Sequence, residues 1–367
     1  VKDVDDNQEA CLGFSLCGGV GPMTFAKLIA HFGSPHGAFV APSLALRPFF
    51  RIAHHHEVFL LFRRTYNPEK EIQRIQNNGA WIMTQWHDDY PKLLKNINDS
   101  PICLYGKGDR NSIDFINDTC IGIVGARKNT AYGQYVAEEL GRKFASAGLV
   151  IVSGMATGID AISHKAAIEK QARTIAVLGT GIDVIYPYMN RELHDQIVKE
   201  YGLIISEYPP GFTTHPGMFV LRNRIIVGLS KAIVVVEGGK HSGTLTTARY
   251  AAENGRDVYA VPGPITSEMS VGPHILLREG AHVLSSASEL LKDFGLSQES
   301  EMVTQKPTDL TGEEKTIYDL LSVKKYYVDE VARKISLSVS ETLPILSLLE
   351  VRGVIGKDFD GSFIVRV

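Results

Sequence analysis

The apolar positions along the chain change pattern twice. From about residue 10 to 70 they recur at helical spacing, broken by Gly-Gly, Gly-Pro and Ser-Pro pairs and with no convincing alternating strand, which predicts a small helical domain over 1–80. Within it LCGGVGPMTFAKLIAHFGS reads either as a helix-hairpin-helix element or as a plain tight turn between helices. A bridging segment, WIMTQWHDDYPKLLKNINDSPICLYGKGD, follows. Then come β-branched runs: CIGIVGAR (120–127), GLVIVSG (148–154), TIAVLG (174–179), LIISEYP (203–209), AIVVVEGG (232–239) and DVYAVPG (257–263), alternating with helical stretches. Such runs are strands buried on both faces, and their alternation with helices predicts an α/β, Rossmann-like, doubly wound parallel sheet over 81–295. Right-handed crossovers gather the loops after the strands along one edge, where open α/β sheets bind ligands. The polar stretch LSQESEMVTQKPTD predicts a linker over 296–309, and 310–367 reads as three helices and a β-hairpin in a winged-helix arrangement.

Composition narrows the function classes. No run of about 18 apolar residues is present to span a membrane, and VKDVDDNQEA is too acidic for a signal peptide, so a cytoplasmic protein is expected. The four cysteines, Cys11, Cys17, Cys103 and Cys120, have no metal spacing and read as reduced, mostly buried thiols; His54, His55 and His56 read as a solvated polar run. Neither a metal nor a cofactor is expected. A net charge of −3 means that any nucleic-acid binding must come from a local basic groove. The C-terminal 306–366 carries nine Lys or Arg against ten Asp or Glu, which favours a protein contact there at least as much as DNA.

The loops carry the chemistry. VVVEGGKHSGTLTTA (234–248) ends a buried strand in glycines and opens a helix whose N–H groups face outward, a cradle for phosphate built from Gly239, Lys240, Ser242, Gly243 and Thr244. Its order is not that of a P-loop, and the first strand ends in VGARKNTAYG without G-x-G-x-x-G, which disfavours nicotinamide and flavin. Arg127 and Lys128 occupy that turn and offer charge to phosphate oxygens. The small residues of SGMATGIDAISHKAAI, Ser153 and Gly154 among them, allow close approach of a ligand. Asp160 and His164 share a helical face and read as acid/base partners or as a cap and a polar helix partner. In FVLRNRIIVGLS, Arg222 and Arg224 cannot share one face; one reaches the loop edge while the other pins a carboxylate such as Glu207. Arg127, Arg173, Arg222, Arg224 and Lys240 are all expected on the ligand-loop side. The loop also resembles the P-G-G-x-G-T-x-x-E loop of lysine-decarboxylase-like nucleotide phosphoribohydrolases, but Thr247 stands where their glutamate acts and Glu237 where their proline lies. A binding module fits this better than an enzyme, with a nucleotide hydrolase or a nucleotide sensor as alternatives.

The ordered set GAR…YG, SGMATGIDAISH, VLGTGIDVIYP, ISEYPPG, RNRIIVGLS, VVVEGGKHSGTLTTARYAAENGRDVYAVPG and DDYPKLL…SPICLYGKGD resembles the DNA-processing protein A (Smf) family over roughly residues 80–290. The resemblance implies a nonenzymatic protein that binds single-stranded DNA in natural transformation, protects it and assists loading of the RecA recombinase. It places DNA binding on Arg127, Arg173, Arg222, Asn223, Arg224, Lys240, Ser242, Gly243 and Thr244. Departures fall at FVLRNR, with Pro216 displaced upstream, and at GPHILLREGA, with His274. A homodimer is expected through Ile275, Leu276 and Leu277, three consecutive apolar residues that a one-sided helix buries only in part; the alternative packs all three against the sixth strand.

Overall fold

A computed structural model of the chain describes residues 5–296, 310, 312–352, 354–358 and 361–365, so that the linker expected at 296–309 lies outside the described residues beyond Leu296. The chain divides into two compact units, Val1–Leu296 and Ser297–Val367.

The first unit opens with six helices, α1 (Asp6–Leu16), α2 (Pro22–Phe32), α3 (Pro35–Val40), α4 (Ser43–Leu46), α5 (Ala53–Thr65) and α6 (Pro68–Asn77). Their ends follow local chemistry. Asp5 and Gln8 form a reciprocal cap on α1, Pro22 sits in the first turn of α2, and Gly33 stops α2 with φ of 80°. Phe14 packs at their centre against Phe25 and Phe59, with ring centroids 5.4 and 5.3 Å away. This core is continuous with one face of the sheet, through Cys103, Tyr105, Ala176, Leu178 and Ile204. All four cysteines are buried and unpaired. The histidine run is only partly solvated. His56 is buried against Phe50, its Nε2 3.1 Å from the Ser43 carbonyl, because it falls on the inner face of α5.

Nine strands form the sheet: β1 (Trp81–Thr84), β2 (Cys103–Lys107), β3 (Cys120–Val124), β4 (Val150–Ser153), β5 (Thr174–Gly181), β6 (Gly202–Tyr208), β7 (Ala232–Val235), β8 (Asp257–Ala260) and β9 (His282–Val283), in the order β1-β2-β6-β5-β4-β3-β7-β8-β9. From β6 to β9 every pairing is parallel, as the doubly wound pattern requires. The segment read as a bridge supplies β1 and β2, which add antiparallel to β6. Alternation along each strand feeds two cores. Cys120, Val150, Ile175, Ile233 and Val235 face a layer formed by α7 (Lys92–Lys95), α12 (Asn223–Leu229), α13 (Gly243–Glu253) and α14 (Val271–Arg278). Ile121, Ile151, Val234 and Tyr259 face α8 (Ala131–Ser146), α9 (Ile159–Glu169) and α15 (Ala287–Asp293). Two short helices, α10 (Arg191–Gln196) and α11 (Met218–Leu221), lie in the connections around β6.

The second unit contains α16 (Gly312–Leu321), α17 (Val328–Ile335), α18 (Val339–Val351) and the antiparallel pair β10 (Ile355–Lys357) and β11 (Phe363–Val365) around its own core of Ile317, Val331, Leu346 and Ile355. No helix among the described residues is long and apolar enough to cross a membrane.

Candidate functional site

The chain builds the sheet outward from β3 through β4, β5 and β6, then returns to lay β7 against the other side of β3. Open α/β sheets leave a crevice at such a reversal, beyond the carboxyl ends of the strands. Here it is a cavity of about 290 Å³ lined by 124–127 after β3, Ala156 and Asp160 after β4, Phe219, Val220, Arg222 and Asn223 from the segment that crosses back to β7, and Ser242, Gly243, Thr244 and Thr247 at the start of α13.

The cradle is shaped by close backbone packing. A Cβ on Gly238 would lie 2.3 Å from Thr244 Oγ1 and 2.7 Å from Ser242 Oγ, and its own carbonyl accepts from Gly272 N at 2.7 Å. Gly238, not Gly239, is therefore the glycine the turn needs. Ser242 precedes α13 without capping it; its hydroxyl bonds to Thr244 Oγ1 instead, so among the described residues no side chain satisfies the N–H groups of the first turn. Gly243 is exposed, and a Cβ there would meet nothing within 4 Å. A guest can reach this helix start. Asn223 Nδ2 donates to Thr247 Oγ1 at 2.8 Å, and that hydroxyl donates to the Gly243 carbonyl at 2.9 Å, which fixes the turn from behind.

Of the charged residues that line the cavity, Arg127 has no ion pair among the described residues, while Arg222 and Asp160 are committed. Arg127 is exposed at the cavity wall, its guanidinium 5.9 Å from the centroid of Phe219, which in turn lies 5.1 Å from the Tyr186 ring. Arg222 is buried and donates Nη1 to the carbonyls of Gly154 and Val177. A Cβ on Gly154 would fall 2.3 Å from Arg222 Nη2 and 2.6 Å from Asp160 Oδ2, so this glycine makes room for the arginine beside a buried carboxylate. Burial pushes Arg222 down to about 10 and pushes the Asp160 carboxyl up, and each is held back by the other's charge. Counting Arg127, Arg222 and Asp160, the cavity keeps one net positive charge.

Several residues expected here lie elsewhere. Arg173 precedes β5, at the amino edge of the sheet opposite the loops, where it pairs with both oxygens of Asp118 and donates to the Ser112 carbonyl at 3.0 Å. Ser153 is buried and donates to the Ile123 carbonyl at 2.6 Å. Arg224 turns away from Arg222 onto Glu207 and, through Nε, onto Asp99 at 3.2 Å. Lys128 and Lys240 are exposed but do not line the cavity. His164 is fully buried; its Nδ1 lies 2.7 Å from Thr174 Oγ1, burial lowers it to about 3, and it has no access to a substrate. Glu237 accepts from Thr130 N at 2.9 Å and so fastens the start of α8. In α14, Leu276 is core, while Ile275 and Leu277 are partly buried against it, so Leu276 is removed from the expected contact surface. Sequence reasoning missed Phe219 and Gly238; an aromatic three residues before the buried Arg222 is the one signal that pointed to the former.

Comparison with known proteins agrees with the resemblance. The family model of DNA recombination-mediator protein A matches residues 81–295. Protein Smf of Synechocystis is 38% identical over 295 residues, covering 79% of this chain and 73% of that protein. DNA processing protein DprA of Bacillus subtilis is 42% identical over 205 residues, covering 56% and 68%. Among solved structures, DprA of Streptococcus pneumoniae superposes with a TM-score of 0.68 at 31% identity over 79% of this chain and 98% of that one. DprA of Helicobacter pylori, described for its single-stranded DNA binding mode, gives 0.53 at 29% identity over 59% and 95%.

Proposed function

The chain belongs to the DNA recombination-mediator protein A family, and on that premise we propose that it is a nonenzymatic single-stranded DNA-binding protein whose cradle lies at the β3/β7 reversal. The observation that carries the proposal is the convergence, in one cavity, of the uncapped start of α13, the free guanidinium of Arg127 and the ring of Phe219. Backbone N–H groups and a guanidinium suit phosphate oxygens, and an aromatic face suits an unpaired base; neither reads sequence. The carboxylates nearby are already committed: Asp160 beside Arg222, Glu237 to Thr130 and Glu207 to Arg224. With Thr247 where a related hydrolase carries its glutamate, binding is favoured over chemistry.

Following the family, the proposal extends to protection of incoming strands during natural transformation and to RecA loading. It also includes self-association at the β9 end of the sheet through Ile275 and Leu277, and a winged-helix role for 310–367 in contacting a partner. A volume of about 290 Å³ is also close to that of small-ligand pockets, roughly 300–1,000 Å³, which keeps a free nucleotide as the second reading. Fluorescence anisotropy of a labelled oligonucleotide, competed by duplex and by mononucleotide, separates the two. Single strands bind and neither competitor displaces them at equal nucleotide concentration; displacement by mononucleotide, or preference for duplex, overturns the proposal.

A further inference from the structure

Arg222 and Arg224 flank the same turn of chain and open into two different cavities. The second, about 630 Å³, lies between the glycine-rich turn that joins α1 to α2 and the carboxyl end of β6. Its wall on the β6 side carries Tyr208 and Phe212, stacked with centroids 4.7 Å apart and an interplanar angle of 24°, and Phe212 and Leu221 are exposed there. Arg224 lines it too. This side chain is 8% exposed; Nε is bound by Asp99 and Nη2 by Glu207, but Nη1 is buried and has no hydrogen-bond partner. Glu207 spends Oε1 on Arg224, and among the described residues Oε2 has no partner.

A buried guanidinium N–H without an acceptor is costly, and a guest with an acceptor atom that draws the Arg224 guanidinium toward the cavity it lines would satisfy it. Phosphate does not suit, because Asp99 and Glu207 outweigh Arg224 by one negative charge. A planar guest with an acceptor beside a donor suits all three features: the acceptor for Nη1, the donor for Glu207, the plane for the aromatic wall. Every nucleobase has such an edge, and guanine, with two adjacent N–H donors beside its carbonyl, matches a carboxylate and a guanidinium together. We propose that this cavity takes an unstacked nucleobase, guanine in preference, from the strand whose backbone sits in the first cavity. The inference rests on the function proposed above. One segment of chain stands between the two and serves both: Val220 and Arg222 line the first cavity while Leu221 and Arg224 line the second.

The test uses labelled oligothymidylates of one length in which a single residue, moved position by position, is abasic or guanine, measured by anisotropy on the full chain. Gly18→Leu places a side chain at the cavity wall where a Cβ meets no atom within 4 Å, and Phe212→Ala removes the exposed ring; melting curves establish that both variants are folded. The wild type is expected to lose about tenfold at one abasic position, within the range for a stacked base, and to gain several-fold with guanine there. Both effects are expected to vanish in the two variants, while a fully abasic strand binds wild type and variants alike. Position-independent affinity, or a position effect that survives both variants, overturns the inference and leaves the cradle intact. No binding of any strand by the wild type overturns both readings.

Discussion

Arg222 and Arg127 line one cavity, and replacing each by alanine is expected to give opposite phenotypes. Arg222→Ala removes the donor to the buried carbonyls of Gly154 and Val177 and leaves the Asp160 carboxyl buried beside no guanidinium. Breaking such a buried charge arrangement costs about 3–5 kcal/mol, which for a unit of this size corresponds to a melting point lower by roughly 10 °C. Adding Asp160→Asn should recover about 1–3 kcal/mol of that loss, the size of coupling seen between neighbouring groups. Arg127→Ala strips an exposed guanidinium and should change stability by no more than about 0.5 kcal/mol, yet weaken single-stranded DNA binding by about 1–3 kcal/mol, roughly 5–150-fold. Thermal unfolding followed by circular dichroism, with anisotropy on the same samples at a temperature where all are folded, gives both quantities. An Arg222→Ala protein that melts like the wild type, or an Arg127→Ala protein that melts as low as Arg222→Ala, refutes the division into scaffold and contact.

Other residues give further expected outcomes. His164 donates Nδ1–H to Thr174, whose hydroxyl is given to the Ile151 carbonyl, so the neutral ring is the form that fits. With its pKa at about 3 in the fold and about 6.5 unfolded, the unfolded chain binds the extra proton between those values. Stability is intact above pH 6.5 and falls by about 1.4 kcal/mol per unit of acidification below it. His164→Gln should flatten that slope in urea midpoints between pH 4.5 and 7.5, and equal slopes would contradict the assignment. Arg173→Ala should leave DNA affinity unchanged and cost about 1 kcal/mol or less, since its ion pair with Asp118 is partly exposed; a loss of affinity in anisotropy would return it to the site. Leu276→Ala should cost about 2–5 kcal/mol at any protein concentration, whereas Leu277→Glu should abolish the proposed dimer in sedimentation; a monomeric wild type removes the dimer from the account.

The parts of the fold that sequence disclosed are those that leave a local trace. The strands within the runs, Cys120–Val124 and Ala232–Val235, carry no polar side chain because both faces are covered, and that, with the alternation of strands and helices, predicts the parallel sheet. β1 and β2 left none: they are short, antiparallel and outside the strand-helix alternation. Which loops meet depends on strand order, and no periodicity reveals that β7 lies beside β3. The commitment of Arg222 to carbonyls 68 and 45 residues away is equally non-local. The position of Arg173 was legible in principle. A residue that precedes a parallel strand lies at the amino edge, away from the loops that follow the strands.

The central claim, that a strand's phosphates sit at the β3/β7 cradle against Arg127, is tested most directly by the salt dependence of single-strand affinity in wild type and Arg127→Ala side by side. If three to five phosphates are neutralised, log affinity should fall with log salt at a slope of about −2 to −4, and loss of one phosphate contact should make the variant shallower by about 0.7. A flat wild-type response, or the same slope in both proteins, contradicts the account.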